Sequence, residues 1–256
     1  MNISFTPDQH ALLDAVDRIA QRHEGKATLG VGHHEHSATL QADLEGAGVF
    51  EAAAIDELGP VTAAAMVQRL ARLPQCVELI ASALLLPLLA PALTRPCAVL
   101  WGDRARPARW LPGARTVLRV DGSGVEYTAL TDGDVTPLDS PFGYPVGRLT
   151  SPDALFWQTL DADAQALRRL WRIGAAAELT GCLDAGLQAV VAHVRDRRQF
   201  GRPLGAFQAI QHRLAQVAVQ VEAARWLTLQ AAFSGTEADA AAAAGHAQQS
   251  APTVIY

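Results

Sequence analysis

The sequence predicts a mainly α-helical protein with a small β insert, on three observations. Helical periodicity fills both ends of the chain. β-branched residues and turn signals concentrate between about 97 and 148, and the last hundred residues carry a long apolar seam in steps of three and four. Three regions are expected: an N-terminal helical domain over 1–95, a reduced middle β region over 96–150 and a C-terminal antiparallel helical bundle over 151–256.

The elements follow in order. Thr6 and Gln9 stand at capping-box spacing with Pro7 at the first helical position, and Leu12, Leu13, Val16, Ile19 and Ala20 continue at helical period. A polar loop through "GKATLGVGHHEHS" leads to a short helix whose Leu40, Leu44 and Ala47 share a face, ended by Gly46 and Gly48. The runs "VTAAAMVQRLARL" and "QCVELIASALLL" predict two more helices. After Pro91 and Pro96 the texture changes: "TVLRV" and "VEYTAL" flank Asp121-Gly122-Ser123-Gly124, a hairpin signal, in a region with room for only a few strands. From about Asp161 a long helix rich in small residues begins. Its partner shows Phe207, Ile210, Leu214, Val217, Val221 and Ala224 at steps of 3, 4, 3, 4 and 3, the seam of a packed helix. The alanine-rich "ADAAAAAGHAQQ" has high helix propensity.

Composition narrows the function classes. With 256 residues, half of them hydrophobic, the chain can bury a large core, and a net charge of -5 argues against general nucleic-acid binding, which needs a broadly basic face. Cys76, Cys97 and Cys182 form neither a disulfide framework nor a C-x-x-C zinc motif, and a reducing cytoplasm is expected. "LIASALLLPLLAPAL" is broken by prolines and too short to span a membrane, and the first residues lack the pattern of a secretory signal.

Against that acidic background, "RDRRQFGRPLGAFQAIQHRLA", residues 195–215, gathers Arg195, Arg197, Arg198 and Arg202 where one long helix ends and the next begins. Helix-end cations interact well with the macrodipole, which accounts for some of them. Guanidinium forks beside a helix N-terminus also make a place for a phosphate anion.

The same residues resemble the R-x-Q-F-G-x-P-x-x-x-F-Q-x-x-x-x-x-L-A signature of the acyl-CoA dehydrogenase family, and "ISFTPDQHALLDAV" and "LQADLEGAGVFE" are similar to its opening helices. The resemblance implies that family's fold, with FAD as a cofactor shared with a neighbouring subunit. Arg197 would hold the flavin pyrophosphate. Arg198, Gln199 and Phe200 would line the same cofactor, and Phe207 and Gln208 would meet its adenosine end. Arg172 matches an arginine of the substrate-side helix.

Departures from the family shape the expected role. The "GSD" segment and the "W-I" strand end that hold the flavin ring and clasp the thioester are not found between Pro96 and Thr150. The family's catalytic glutamate lies beyond a Gly-Gly motif, expected past the final "SAPTVIY", so the bundle is expected to be incomplete. The alternative position for the base falls on Trp171, which cannot take a proton. The chain therefore resembles the reduced, non-catalytic subunit of the heteromeric acyl-CoA dehydrogenases that some actinobacteria use on sterol side chains and other bulky thioesters. A full-length paralogue as partner, a heterotetramer and an acyl-CoA substrate are implied. Two alternatives stay open: a self-sufficient dehydrogenase cut short at its C-terminus, and a non-redox member of the fold.

Other residues are read more plainly. His33, His34, Glu35 and His36 adjoin in a loop without a second cluster, and no metal is expected. Glu178 and Glu222 read as solvated or paired helical carboxylates, and Trp157, Trp171 and Trp226 as bundle packing.

Overall fold

The computed structural model describes residues 4–25, 36–139 and 144–255. Helix α1 (Pro7–His23) opens with the expected capping box, Thr6 Oγ1 accepting from the Gln9 amide while Gln9 Oε1 accepts from the Thr6 amide. Leu13, Val16 and Ile19 form its buried stripe. Helix α2 (Ala38–Gly46) buries Leu40 and Leu44, but Ala47 lies past its end and is exposed; Gln41 takes the third buried position. The chain then passes Gly48, at φ 66°, into a 3-10 turn, Val49–Ala54. This left-handed conformation is one a glycine adopts without a Cβ clash.

Helix α3 (Gly59–Leu70) is apolar nearly all round because it lies at the centre of the molecule. The next predicted helix begins late. Residues 76–79 are not helical, and Cys76 pairs with His36 in an isolated parallel bridge. A π-helical segment, Ala81–Leu85, then runs into α4 (Leu86–Leu89). The buried Glu78 carboxylate serves its first turn, accepting from the Ala81 amide (2.7 Å), the Ser82 amide (2.9 Å) and the Ser82 hydroxyl (2.8 Å).

The middle region holds more strands than expected. β1 (Cys97–Trp101), β3 (Thr116–Val120), β4 (Val125–Ala129) and β7 (Gln158–Leu160) form one sheet in the order β1-β3-β4-β7, with β1 and β3 parallel. β2 (Ala108–Arg109), β6 (Val146–Leu149) and β5 (Val135–Leu138) form a second. All seven of these strands are five residues or shorter, too brief for clear alternation in the sequence. The predicted β3–β4 hairpin is present, with Asp121 Oδ1 accepting from the Ser123 amide inside the turn. β1 explains the unbroken run "CAVL": Cys97 and Val99 face the helical core, whereas Ala98 and Leu100 face a smaller cluster with Leu111, Val117 and Leu149.

Three long helices complete the fold: α5 (Ala164–Asp196), α6 (Gln208–Ser234) and α7 (Glu237–Ile255). The predicted α6 seam is observed, with burial deepening from half-buried Phe207, Ile210 and Leu214 to fully buried Val217, Val221 and Ala224. Residues from α1, α3, the π segment, β1, β3 and all three bundle helices share one continuous core. The small residues of α5 permit that approach: a Cβ on Gly174 would meet the Ile80 side chain, and one on Gly181 the Gln68 carbonyl of α3.

Candidate functional site: the turn between α5 and α6

α5 ends at Asp196 because the chain turns extended at Arg197 (φ −71°, ψ 125°). Arg198–Gln199 (β8) then pairs antiparallel with Arg202–Pro203 (β9). The two residues between them, Phe200 at φ 53° and Gly201 at φ 79°, make the reversal. Positive φ is strained for a phenylalanine, and the Phe200 ring is 90 % exposed. The Arg197 carbonyl accepts from the Leu204 amide at 2.8 Å, and the Gln211 side chain donates to the Gly205 carbonyl at 2.8 Å, locking the turn onto α6.

All six predicted cofactor residues lie in this turn or at its hinge with α6. Phe200 and Phe207 meet edge to face at 6.2 Å between centroids, and Gln208 is the first residue of α6, exposed. Arg197 and Arg198 are exposed, and among the described residues neither they nor Arg202 forms an ion pair. Arg195 differs: its Nε lies 3.2 Å from Asp196. Phe207 caps α6 with no side-chain hydrogen bond, so the first amides of the helix have no side-chain acceptor. Unpaired guanidinium groups, a solvent-facing aromatic ring and an open helix N-terminus fit the diphosphate and adenosine end of a dinucleotide. Arg202 was not among the predicted residues. It stacks on the Phe207 ring at 4.0 Å, a contact that the motif, which leaves this position free, does not signal.

Arg172 lies elsewhere, on α5, ion-paired with Glu237 at the start of α7. It borders a cleft with Trp101, Arg168 and Trp171 between the sheet and α5. Trp171 packs edge to face on Trp101 at 5.7 Å. The other tryptophans depart from the bundle reading. Trp157 belongs to the sheet cluster under Arg104, and Trp226 is exposed and donates to Glu222 at 2.6 Å.

Glu178 is paired, but its cation comes from the sheet: Arg109 Nη2 lies 2.7 Å from its carboxylate. The pair walls an apolar cavity of about 560 Å3 lined by Leu73, Val77, Leu79, Trp110 and Leu179, with the thiols of Cys76 and Cys182. Burial, with Glu178 beside them, pushes both thiols up to about 11. His33, His34 and Glu35 lie outside the described residues. His36 packs edge-on to Trp110 at 6.4 Å, and burial holds its pKa below the ordinary value.

Comparison with known proteins bears on the fold. Residues 165–251 match the acyl-CoA dehydrogenase C-terminal domain family. A probable acyl-CoA dehydrogenase of Bacillus subtilis, YngJ, is 44 % identical over 62 residues, 24 % of this chain. That alignment spans 16 % of the relative, so sequence likeness covers about a sixth of its length. Likeness of fold extends much further. The Tcur3481–Tcur3483 steroid dehydrogenase variant superposes with a TM-score of 0.75 at 19 % identity, covering 97 % of this chain and 84 % of that one. The ChsE4–ChsE5 complex of Mycobacterium tuberculosis gives 0.70 at 20 %, covering 99 % and 86 %. Among the described residues no helix is long and apolar enough to cross a membrane. Residues 165–251 thus match the acyl-CoA dehydrogenase C-terminal domain family, and the chain as a whole has the fold of these solved acyl-CoA dehydrogenases.

Proposed function

We propose that this chain is the non-catalytic subunit of a flavin-dependent acyl-CoA dehydrogenase, completing the FAD site of a full-length paralogue in a cytoplasmic heterotetramer. The observation that carries this reading is the α5–α6 turn, where Arg197 and Arg198 face solvent unpaired beside the 90 % exposed Phe200. A surface so charged and so apolar suits a cofactor lying across a subunit boundary. Arg197 would bind the diphosphate, Arg198, Gln199 and Phe200 would flank it, and Phe207 and Gln208 would orient the adenosine.

FAD, when bound, supplies the hydride acceptor for α,β-dehydrogenation of an acyl-CoA thioester. The proton at the α-carbon needs a carboxylate base, and the family's alternative position holds Trp171 stacked on Trp101. In this reading the base belongs to the paralogue, and Arg172, ion-paired with Glu237, to positioning on the substrate side. The ChsE4–ChsE5 neighbour is itself a complex, and the Tcur3481–Tcur3483 neighbour a steroid dehydrogenase. Both support a paired assembly acting on a bulky, sterol-like thioester.

The test is co-purification with a full-length acyl-CoA dehydrogenase paralogue. The reading expects a colourless chain alone and a yellow complex with flavin absorbance near the paralogue's molar amount. Stoichiometric flavin in the isolated chain, or a colourless complex, overturns it.

A further inference from the structure

The Arg202 guanidinium lies over the Phe207 ring, 4.0 Å from its centre, the closest cation–ring contact among the described residues. Local structure brings the two together. Arg202 stands opposite Gln199 in the β8–β9 pair, so both side chains leave this short ribbon on one face. Arg198, opposite Pro203, leaves on the other. The extended backbone at Arg197 puts its side chain on the Gln199 face by the same alternation. One face of the turn therefore carries Arg197, Gln199 and Arg202 and leads to Phe207 at the cap of α6.

Stacking uses only half of the Arg202 guanidinium. Its inner face covers Phe207, and because Arg202 is exposed and forms no ion pair among the described residues, its outer face and edge N–H groups are open. A flat, delocalised cation backed by an aromatic ring is a surface on which a planar base can stack. Phe200 completes its border. It meets Phe207 at 6.2 Å with the two ring planes 82° apart, so it stands as a wall beside the stack and not as a second floor. Gln208, next in the chain and exposed, adds an amide able to pair with the edge of a base.

The openness of this surface selects the end of the cofactor that it suits. Hydride transfer at the flavin ring needs water excluded, which an exposed turn does not provide, whereas adenine does no chemistry and stacks well at a surface. We propose that Arg202, backed by Phe207, is the platform for the adenine ring, and that this stack makes the turn selective for an adenine-bearing flavin. Phe207 then acts through Arg202 as a positioning residue. The inference rests on the flavin reading above and deepens it, adding a residue outside the matched motif.

The complex with the paralogue, stripped of flavin, is titrated with FAD and with riboflavin diphosphate, which keeps the diphosphate and lacks the adenosine. Flavin fluorescence reads both affinities. Arg202→Ala should weaken FAD on the order of tenfold and leave riboflavin diphosphate within about twofold. Arg197→Ala should weaken both ligands alike. Arg202→Lys should recover little, because an ammonium keeps the charge but not the plane. Phe207→Leu should weaken FAD alone, and its loss should not add to that of Arg202→Ala, since the two residues form one stack. Equal losses of both ligands in Arg202→Ala, full recovery by lysine, or no loss at all would overturn the proposal and leave the flavin reading standing. A wild-type complex that binds neither ligand would overturn both.

Discussion

Arg109, at the end of β2, and Glu178, midway along α5, form a 2.7 Å ion pair that ties the small sheet to the bundle. The guanidinium also lies 5.2 Å from the Trp171 ring centre and 5.5 Å from that of Tyr144. Burial works against its charged form, and Glu178 overcomes that, so its pKa rises above the ordinary arginine value. Glu178→Gln leaves a mostly buried cation without its counter-charge and should lower stability by about 2 kcal/mol in urea denaturation. Arg109→Met combined with Glu178→Gln should recover most of that loss. Turnover per flavin in the complex should stay within a few-fold for Glu178→Gln, because a general base contributes roughly 10²–10⁴-fold. A loss of that size would identify Glu178 as the base.

Gly181 faces the Gln68 carbonyl across the α3–α5 contact, with no room for a Cβ. Gly181→Ala should lower stability by roughly 1–3 kcal/mol, the cost of overpacking a rigid backbone contact. Gly186→Ala, on the same helix with only the Val254 side chain at 4.0 Å, should be neutral or stabilising. Chemical denaturation of the two variants side by side checks the pair.

Cys182 is an exposed residue whose thiol faces the 560 Å3 cavity, where desolvation by the apolar lining, together with Glu178, pushes it up to about 11. The thiolate is the reactive form, so alkylation at pH 8 should run roughly two hundredfold slower than for a free thiol of ordinary pKa near 8.5. The rate should keep rising towards pH 11. A plateau near pH 9 would show a thiol in ordinary solvent.

Much of this architecture was readable from short-range pattern. The Thr6–Gln9 capping box, the Asp121–Gly124 hairpin and the Phe207–Ala224 seam each depend on local chemistry, and each stands as expected. The middle sheets are less legible because strands such as β5 and β7 are three or four residues long, and β7 gains its partner β4 from well earlier in the chain. Residues 76–79 look helical by composition, but Cys76 is drawn into a bridge with His36, a contact that spacing along the chain does not encode. Ala47 fits the face of α2 by period and is excluded because the helix has already ended at Gly46. For the turn, the motif named the residues, but neither the Arg202 stack on Phe207 nor the Arg109–Glu178 pair carries a sequence signal, since each depends on tertiary approach.

In the proposed complex the α5–α6 turn holds the flavin diphosphate through Arg197. Arg195 is the internal control, since it is exposed and already faces Asp196 at 3.2 Å. The most direct measurement is FAD dissociation from the purified complex with the paralogue, followed by flavin fluorescence at one fixed salt concentration. Arg197→Ala should weaken retention on the order of ten- to a hundredfold, the range for a charge-assisted hydrogen bond. Arg197→Lys should recover only part, because an ammonium lacks the planar fork, and Arg195→Ala should change it by less than about threefold. Equal losses at Arg195 and Arg197, or none at Arg197, would contradict the account.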